Sequence, residues 1–174
     1  MRARGFTMIE LLVTMTIAAI LLMLAVPSYS EFMRNTRIRG IADSIAGGMR
    51  LAQTEAIRLN QDIELVVDPA TGWSIVDPVT PRVIHTEPYT ESNGQIGVNP
   101  SPPGATKLTY SPLGQLRLPD NPDGTATVTS VAVTHSITPA RALRVINEGF
   151  GVGVRVCDKA SDVHASLGCP AGVP

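Results

Sequence analysis

Three patterns of hydrophobic and polar positions follow one another along the chain. From Leu11 to Val26 the residues are apolar on nearly every side. With its flanks this run makes a helical segment of about 20 residues, the length that crosses a bilayer. One ionisable residue, Glu10, stands at its start. Farther on, Ile38, Ile41, Ala42, Ile45, Met49, Ala52, Ala56 and Leu59 recur at steps of three and four. That spacing predicts an amphipathic helix with one apolar stripe. Arg37, Arg39, Asp43, Arg50, Gln53, Glu55 and Arg58 fall mostly off the stripe. The combined helix, from Phe6 to about Asn60, would be about 80 Å long at 1.5 Å per residue. Pro27 removes a hydrogen bond and predicts a bend, with Gly40 and Gly47-Gly48 as further weak points.

After Asn60 the period changes. Gln61–Val67 and Trp73–Val76 read as strands around the turn Asp68-Pro69-Ala70-Thr71-Gly72, and Arg82–Thr86 as a third. Pro88 to Gly104 reads as a surface loop with one short strand, Gln95–Val98. Lys107–Tyr110 and Gln115–Leu118 flank Ser-Pro-Leu-Gly, a hairpin signal, and Asp120-Asn121-Pro122-Asp123-Gly124 is another turn. Ala126–Thr134, Ala142–Asn147 and Val152–Cys157 supply the last strands. One long helix followed by antiparallel strands predicts an α+β fold, with the amphipathic half covering the first sheet and a second sheet packed on it.

The length, 174 residues, suits one domain plus an anchor. A formal charge of −1 gives no overall bias toward nucleic acid. Aromatic residues make up 4% of the chain, so the core must be aliphatic. If the C-terminal end is exported, Cys157 and Cys169 form a disulfide worth about 3 kcal/mol. Free thiols or half a metal site are the alternatives, and no CxxC pair or histidine cluster accompanies them. His85, His135 and His164 fall in separate segments without metal-ligand spacing, nucleophile elbow or phosphate loop. The sequence therefore names no catalytic residue, metal ligand or cofactor site.

A carboxylate at the depth of Glu10 costs about 2.5–3.5 kcal/mol even on a lenient scale, and so asks for a partner. A plain signal anchor, with a snorkelling or protonated glutamate, is one way to meet that cost. The flanks suggest another. No cleavage site of the usual secretory kind ends the apolar run, and the candidate processing point lies before it, at Gly5-Phe6. Gly-Phe-Thr-Met-Ile-Glu-Leu-Leu-Val, beginning at Gly5, resembles the leader junction of type IV pilins and type II secretion pseudopilins. The resemblance implies that a prepilin peptidase cuts after Gly5 and methylates Phe6. Phe6 and Glu10 are one helical turn apart, so in a helical assembly Glu10 meets the amine of the next subunit.

The stretch from Met49 to Asn60, Gly72-Trp73, Leu108 to Gly114, Leu143 to Ile146 and Gly153 to Cys157 are similar to the FimT/FimU and GspH minor pilins. The resemblance divides the chain into a leader (1–5), a transmembrane and filament-core helix (6–29), its amphipathic continuation (30–60), a β-rich periplasmic domain (61–157) and a C-terminal tail (158–174). It implies a single-pass inner-membrane protein that joins a pilus and takes part in starting its assembly, with twitching motility or DNA uptake as the associated activities. The alternative is a GspH-like pseudopilin supporting type II secretion. Implied partners are other minor and major pilins or pseudopilins, the prepilin peptidase and the inner-membrane assembly platform. Arg34, Arg37 and Arg39 sit at lipid head groups or on a solvated face. Some FimT-like members bind DNA through a glycine-arginine-x-arginine motif; here Gly153 replaces its first arginine. Arg155 and Lys159 are the remaining candidate DNA contacts, opposed by Asp158 and Asp162, and phosphate neutralisation needs several cations.

Overall fold

The computed structural model describes residues 7–89, 94–147, 153–158 and 168–169. One helix, α1 (Met8–Leu59), runs unbroken for 52 residues through Pro27, Gly40 and Gly47-Gly48. It ends at Asn60, which takes the left-handed conformation and whose N–H meets the carbonyls of Ala56 and Ile57. Eight strands follow: β1 (Ile63–Asp68), β2 (Gly72–Asp77), β3 (Arg82–Pro88), β4 (Ile96–Ser101), β5 (Lys107–Tyr110), β6 (Ser130–His135), β7 (Leu143–Asn147) and β8 (Val154–Asp158). They form two antiparallel sheets, ordered β3-β2-β1-β5 and β4-β6-β7-β8. The protein is α+β.

The helix stripe is the centre of the core. Ile38, Ile41, Ala42, Ile45, Met49, Ala52 and Ala56 are all buried, whereas Leu59, the last helical residue before the cap, is 37% exposed. Close approaches run from α1 to β1, β2 and β5 of one sheet and to β6, β7 and β8 of the other. The second sheet is therefore not stacked behind the first. Both lay their inner faces on the helix, and Leu65, Ile75 and Leu108 join Val131, Val133 and Val145 in one cluster around it.

Three strand expectations change. The run from Ala126 to Thr134 is shared between the sheets. Thr127 and Val128 lie on the outer edge of β5, with the Val128 N–H donating to Lys107 O at 2.9 Å, and only from Ser130 does the chain enter β6. The partner arm of the Ser-Pro-Leu-Gly hairpin keeps one bridge, Tyr110 to Leu116, before the chain turns away at Pro119, which has no N–H to extend a ladder. Conversely, the short strand placed in the Pro-rich loop extends from Ile96 to Ser101. It tolerates Pro100 because β4 is an edge strand.

Local polar groups hold the turns. Asp68 Oδ1 accepts the N–H groups of Ala70 and Thr71, closing the β1–β2 turn. Gly72, at φ +147°, leaves no room for a side chain, since a Cβ there would lie 2.2 Å from the Glu87 carbonyl. Lys107 on β5 pairs with Glu64 on β1 and with Asp123 in the turn that follows. Hydrogen bonds from Lys107 and Thr125 hold the Asp123 carboxyl down at about 2. Asn121, 3% exposed, fastens the same turn through the Thr109 hydroxyl and the carbonyls of Lys107, Thr125 and Ala126.

Adjacent glycines in α1 have opposite surroundings. Around Gly47 there is open space, whereas a Cβ on Gly48 would lie 2.9 Å from three ring carbons of Trp73. That indole is fixed by its N–H donating to Ser44 Oγ at 3.0 Å. Gly47→Ala should therefore stabilise the protein by about 0.8–1 kcal/mol through helix propensity. Gly48→Ala should destabilise it, because overpacking costs about 1–3 kcal/mol; thermal melts of the two variants check the contrast. A second expectation concerns acid. Asp123 titrates at an ordinary 3.8 when unfolded and at about 2 when folded. Its contribution is thus present above about pH 4 and is lost as the pH falls toward 2. Asp123→Asn should melt earlier than wild type at neutral pH, and the difference should shrink across that window.

Candidate assembly surface

The N-terminal half of α1 has no cover. Met8, Ile9, Leu12, Ile20, Leu22 and Val26 are each more than 60% exposed. Among the described residues α1 is the one helix long and apolar enough to cross a membrane. The hydroxyls inside its apolar run, those of Thr14 and Thr16, are satisfied within the helix. The Thr14 hydroxyl donates to Leu11 O at 2.9 Å and that of Thr16 to Val13 O at 2.8 Å. Leaving no hydroxyl unpaired is what a hydrocarbon environment requires of a helix.

Glu10 sits in the first turn, where Thr7 is the N-cap and its Oγ1 accepts the Glu10 N–H at 3.3 Å. A carboxylate here also faces the positive end of the helix dipole. Thr7, which none of the expectations above includes, is marked locally by Thr7-x-x-Glu10, the capping-box signature. Among the described residues no side chain pairs with the Glu10 carboxylate. Gly5 and Phe6, the cleavage and methylation positions, lie outside the described residues.

The lower half of α1 is tied to its own domain by polar contacts that no local pattern announces. Arg50 Nη2 donates to Val154 O at 2.9 Å, reaching β8, and Gln53 Nε2 donates to Gly114 O at 2.7 Å, reaching the hairpin after β5. The Gly114 turn packs so closely that a Cβ there would lie 2.7 Å from Ile57. The helix thus has one half locked to the sheets and one half presented to the outside.

Cys157, at 1% exposed, is joined to Cys169 across 12 residues, and Gly168 bridges Asp158. The link fastens the C-terminal segment to β8. A loop of this size is worth about 3 kcal/mol in the chain-entropy account. Arg155 lies exposed on β8, Lys159 lies outside the described residues, and Asp158 is buried and faces Arg141 at 3.9 Å. Among the described residues, His85 and His135 lie in different sheets. His85 on β3 lies by the Trp73 ring, with centroids 5.3 Å apart, and by Glu87 at 3.6 Å. His135 closes β6 by accepting the Ile137 N–H, and His164 lies outside the described residues.

Comparison with known proteins bears on this arrangement. A family model described as type II transport protein GspH matches residues 42–149, and one described as the prokaryotic N-terminal methylation motif matches residues 1–26. No curated protein matches. Among solved structures, the crystal structure of the type IV minor pilin FimU of Pseudomonas aeruginosa (strain PAO1) is similar at 16% identity and a TM-score of 0.48, over 66% of this chain and 86% of that chain. The GspH model alone spans more than half of the sequence, from the buried stripe of α1 through β7. With the methylation motif lying over the exposed apolar run, the chain belongs to the GspH/FimT family of minor pilins and pseudopilins.

Proposed function

We propose that this protein is a minor pilin of a type IV pilus that takes part in starting filament assembly. The observation carrying the reading is the division of α1. Its stripe from Ile38 to Ala56 is covered by the chain's own sheets, while the described side chains from Met8 to Val26 are exposed. A helix apolar on all sides is stable in lipid or among other such helices. It waits in the inner membrane, with the globular domain on the periplasmic side, and then packs beside its neighbours in the filament core.

In this reading prepilin peptidase cuts between Gly5 and Phe6 and methylates the new amine. Glu10 then pairs with the Phe6 amine of an adjoining subunit. Each charge offsets the desolvation of the other, which neither could bear alone. The specificity for particular neighbours, and for the assembly platform, resides in the globular domain. A DNA-uptake role would need more phosphate-neutralising cations than Arg155 and Lys159 supply. The description of the matching family as a type II transport protein keeps a secretion pseudopilus as the second reading.

Glu10→Ala should leave leader removal intact, as read by the mass of the mature chain. Its recovery in sheared filaments should drop at least about tenfold, because an amine left unpaired in an apolar core costs about 3–5 kcal/mol. Normal incorporation would refute the pairing. Deleting the gene separates the two systems: loss of surface pili supports the first reading, whereas loss of exported proteins with pili intact supports the second.

A further inference from the structure

Just past the apolar run, α1 carries two exposed aromatic residues, Tyr29 at 65% and Phe32 at 64%. Aromatic rings at such positions settle at the boundary between hydrocarbon and water. Arginines 34, 37 and 39 come next on the helix, and the fold adds one that the helix lacks. The β6–β7 connection lies against α1 at this level, where the Arg141 N–H donates to Asn35 Oδ1 at 2.9 Å. Arg39 and Arg141 line one open groove of about 280 Å³, together with Phe32, Asn35, Thr36 and Leu143.

Both guanidinium groups remain largely in the open, with side chains 69% and 67% exposed. Their carboxylate neighbours stand at long range, Asp43 at 3.7 Å from Arg39 and Asp158 at 3.9 Å from Arg141. An arginine has five N–H donors in a rigid fork, so one loose ion pair leaves most of them for a second anion. Phe32 and Leu143 give the groove an apolar wall beside these donors.

We propose that this groove docks the phosphate head group of an anionic phospholipid from the membrane that the span enters. The inference rests on the membrane-anchored reading of α1. Two features select lipid over other anions: the groove continues the span on the same helix, with Tyr29 between them, and one of its walls, formed by Phe32 and Leu143, is apolar. The geometry is compatible. Arg39 stands eleven residues beyond Ser28, about 16 Å along the axis. The exposed Arg39 side chain can swing from Asp43 toward the bilayer, helix tilt lowers it further, and the head-group layer rises about 5–8 Å to meet it. Asp43 and the nearby Glu31 weaken any long-range field, so recognition depends on close contact by Arg39 and Arg141. The contact would hold the globular domain down on the bilayer before extraction, and it would be released when the subunit leaves the lipid.

The test uses the full chain in nanodiscs of phosphatidylcholine, with and without phosphatidylglycerol, followed by amide hydrogen exchange. With phosphatidylglycerol, exchange in the β6–β7 connection should slow at least about fivefold, since each of the two arginines near an anionic surface is worth about that factor. Added salt should reduce the effect, and Arg39→Gln with Arg141→Gln should abolish it while β1 and β2 keep their protection. Equal exchange in both lipids overturns the docking and leaves the anchor standing. Failure of the chain to enter discs of either lipid overturns the anchor and the docking together. Protection that rises with the number of chains per disc, whatever the lipid, assigns the groove to a second copy and also overturns the proposal.

Discussion

The structure depends on one helical stripe being covered from two sides. Neither four-stranded sheet has a second layer of its own, so each would leave its inner Val, Leu and Ile residues in water without α1. Burying such a side chain is worth about 1.5–3 kcal/mol, and Ile38, Ile45 and Met49 of the helix are fully buried in the cluster that both sheets share. The alanines at 42, 46, 52 and 56 let the strands approach the helix closely. Gly48 extends this by accepting the flat face of Trp73. Removing the helix would therefore expose both inner faces together, which is why helix and sheets form a single body.

Two sheets that meet only around a helix need a seam, and polar groups supply it. The chain between Ala126 and Thr129 passes from the edge of β5 to the edge of β4, where the Thr129 N–H donates to Ser101 O at 2.9 Å. The Tyr110 hydroxyl of the first sheet receives a hydrogen bond from the Asn147 amide of the second. Lys107, with Glu64 and Asp123, pins the turn that starts the crossing. Apart from Asp123, which is half exposed, these groups are buried or partly buried, and they satisfy one another, as a polar network inside a small domain must.

The same helix that anchors the core leaves the domain and continues into a different medium. Its exposed half has no polar group seeking water except Glu10 at its very start, while the covered half is studded with arginines and carboxylates on its outer side. Function in this family is assembly, and the division shows how one rigid element can serve it. The lower half fixes where the globular domain sits, and the upper half carries that position into whatever surrounds the span.

Much of this was legible in the residues alone. The apolar run, the stripe from Ile38 to Ala56, the β1–β2 turn at Asp68 to Gly72 and the glutamate at the helix start all follow from neighbours a few positions apart. Local spacing is enough to specify helix period, strand alternation and turn chemistry. What only the tertiary structure decided depends on partners far away in the chain. Residues 126 to 134 read as one strand because β-branched residues fill most of them, yet the alternation slips by one position at Thr129-Ser130, and two different sheet edges each take a part. Pro100 is accommodated only because β4 has a free edge, and Leu59 leaves the stripe because the helix ends where the sheets do. Arg50 finds Val154, and Arg141 is brought to Asn35, through contacts separated by more than 100 residues. No periodicity records such pairings, since they arise from how two sheets share one helix and not from the order of residues along any single element.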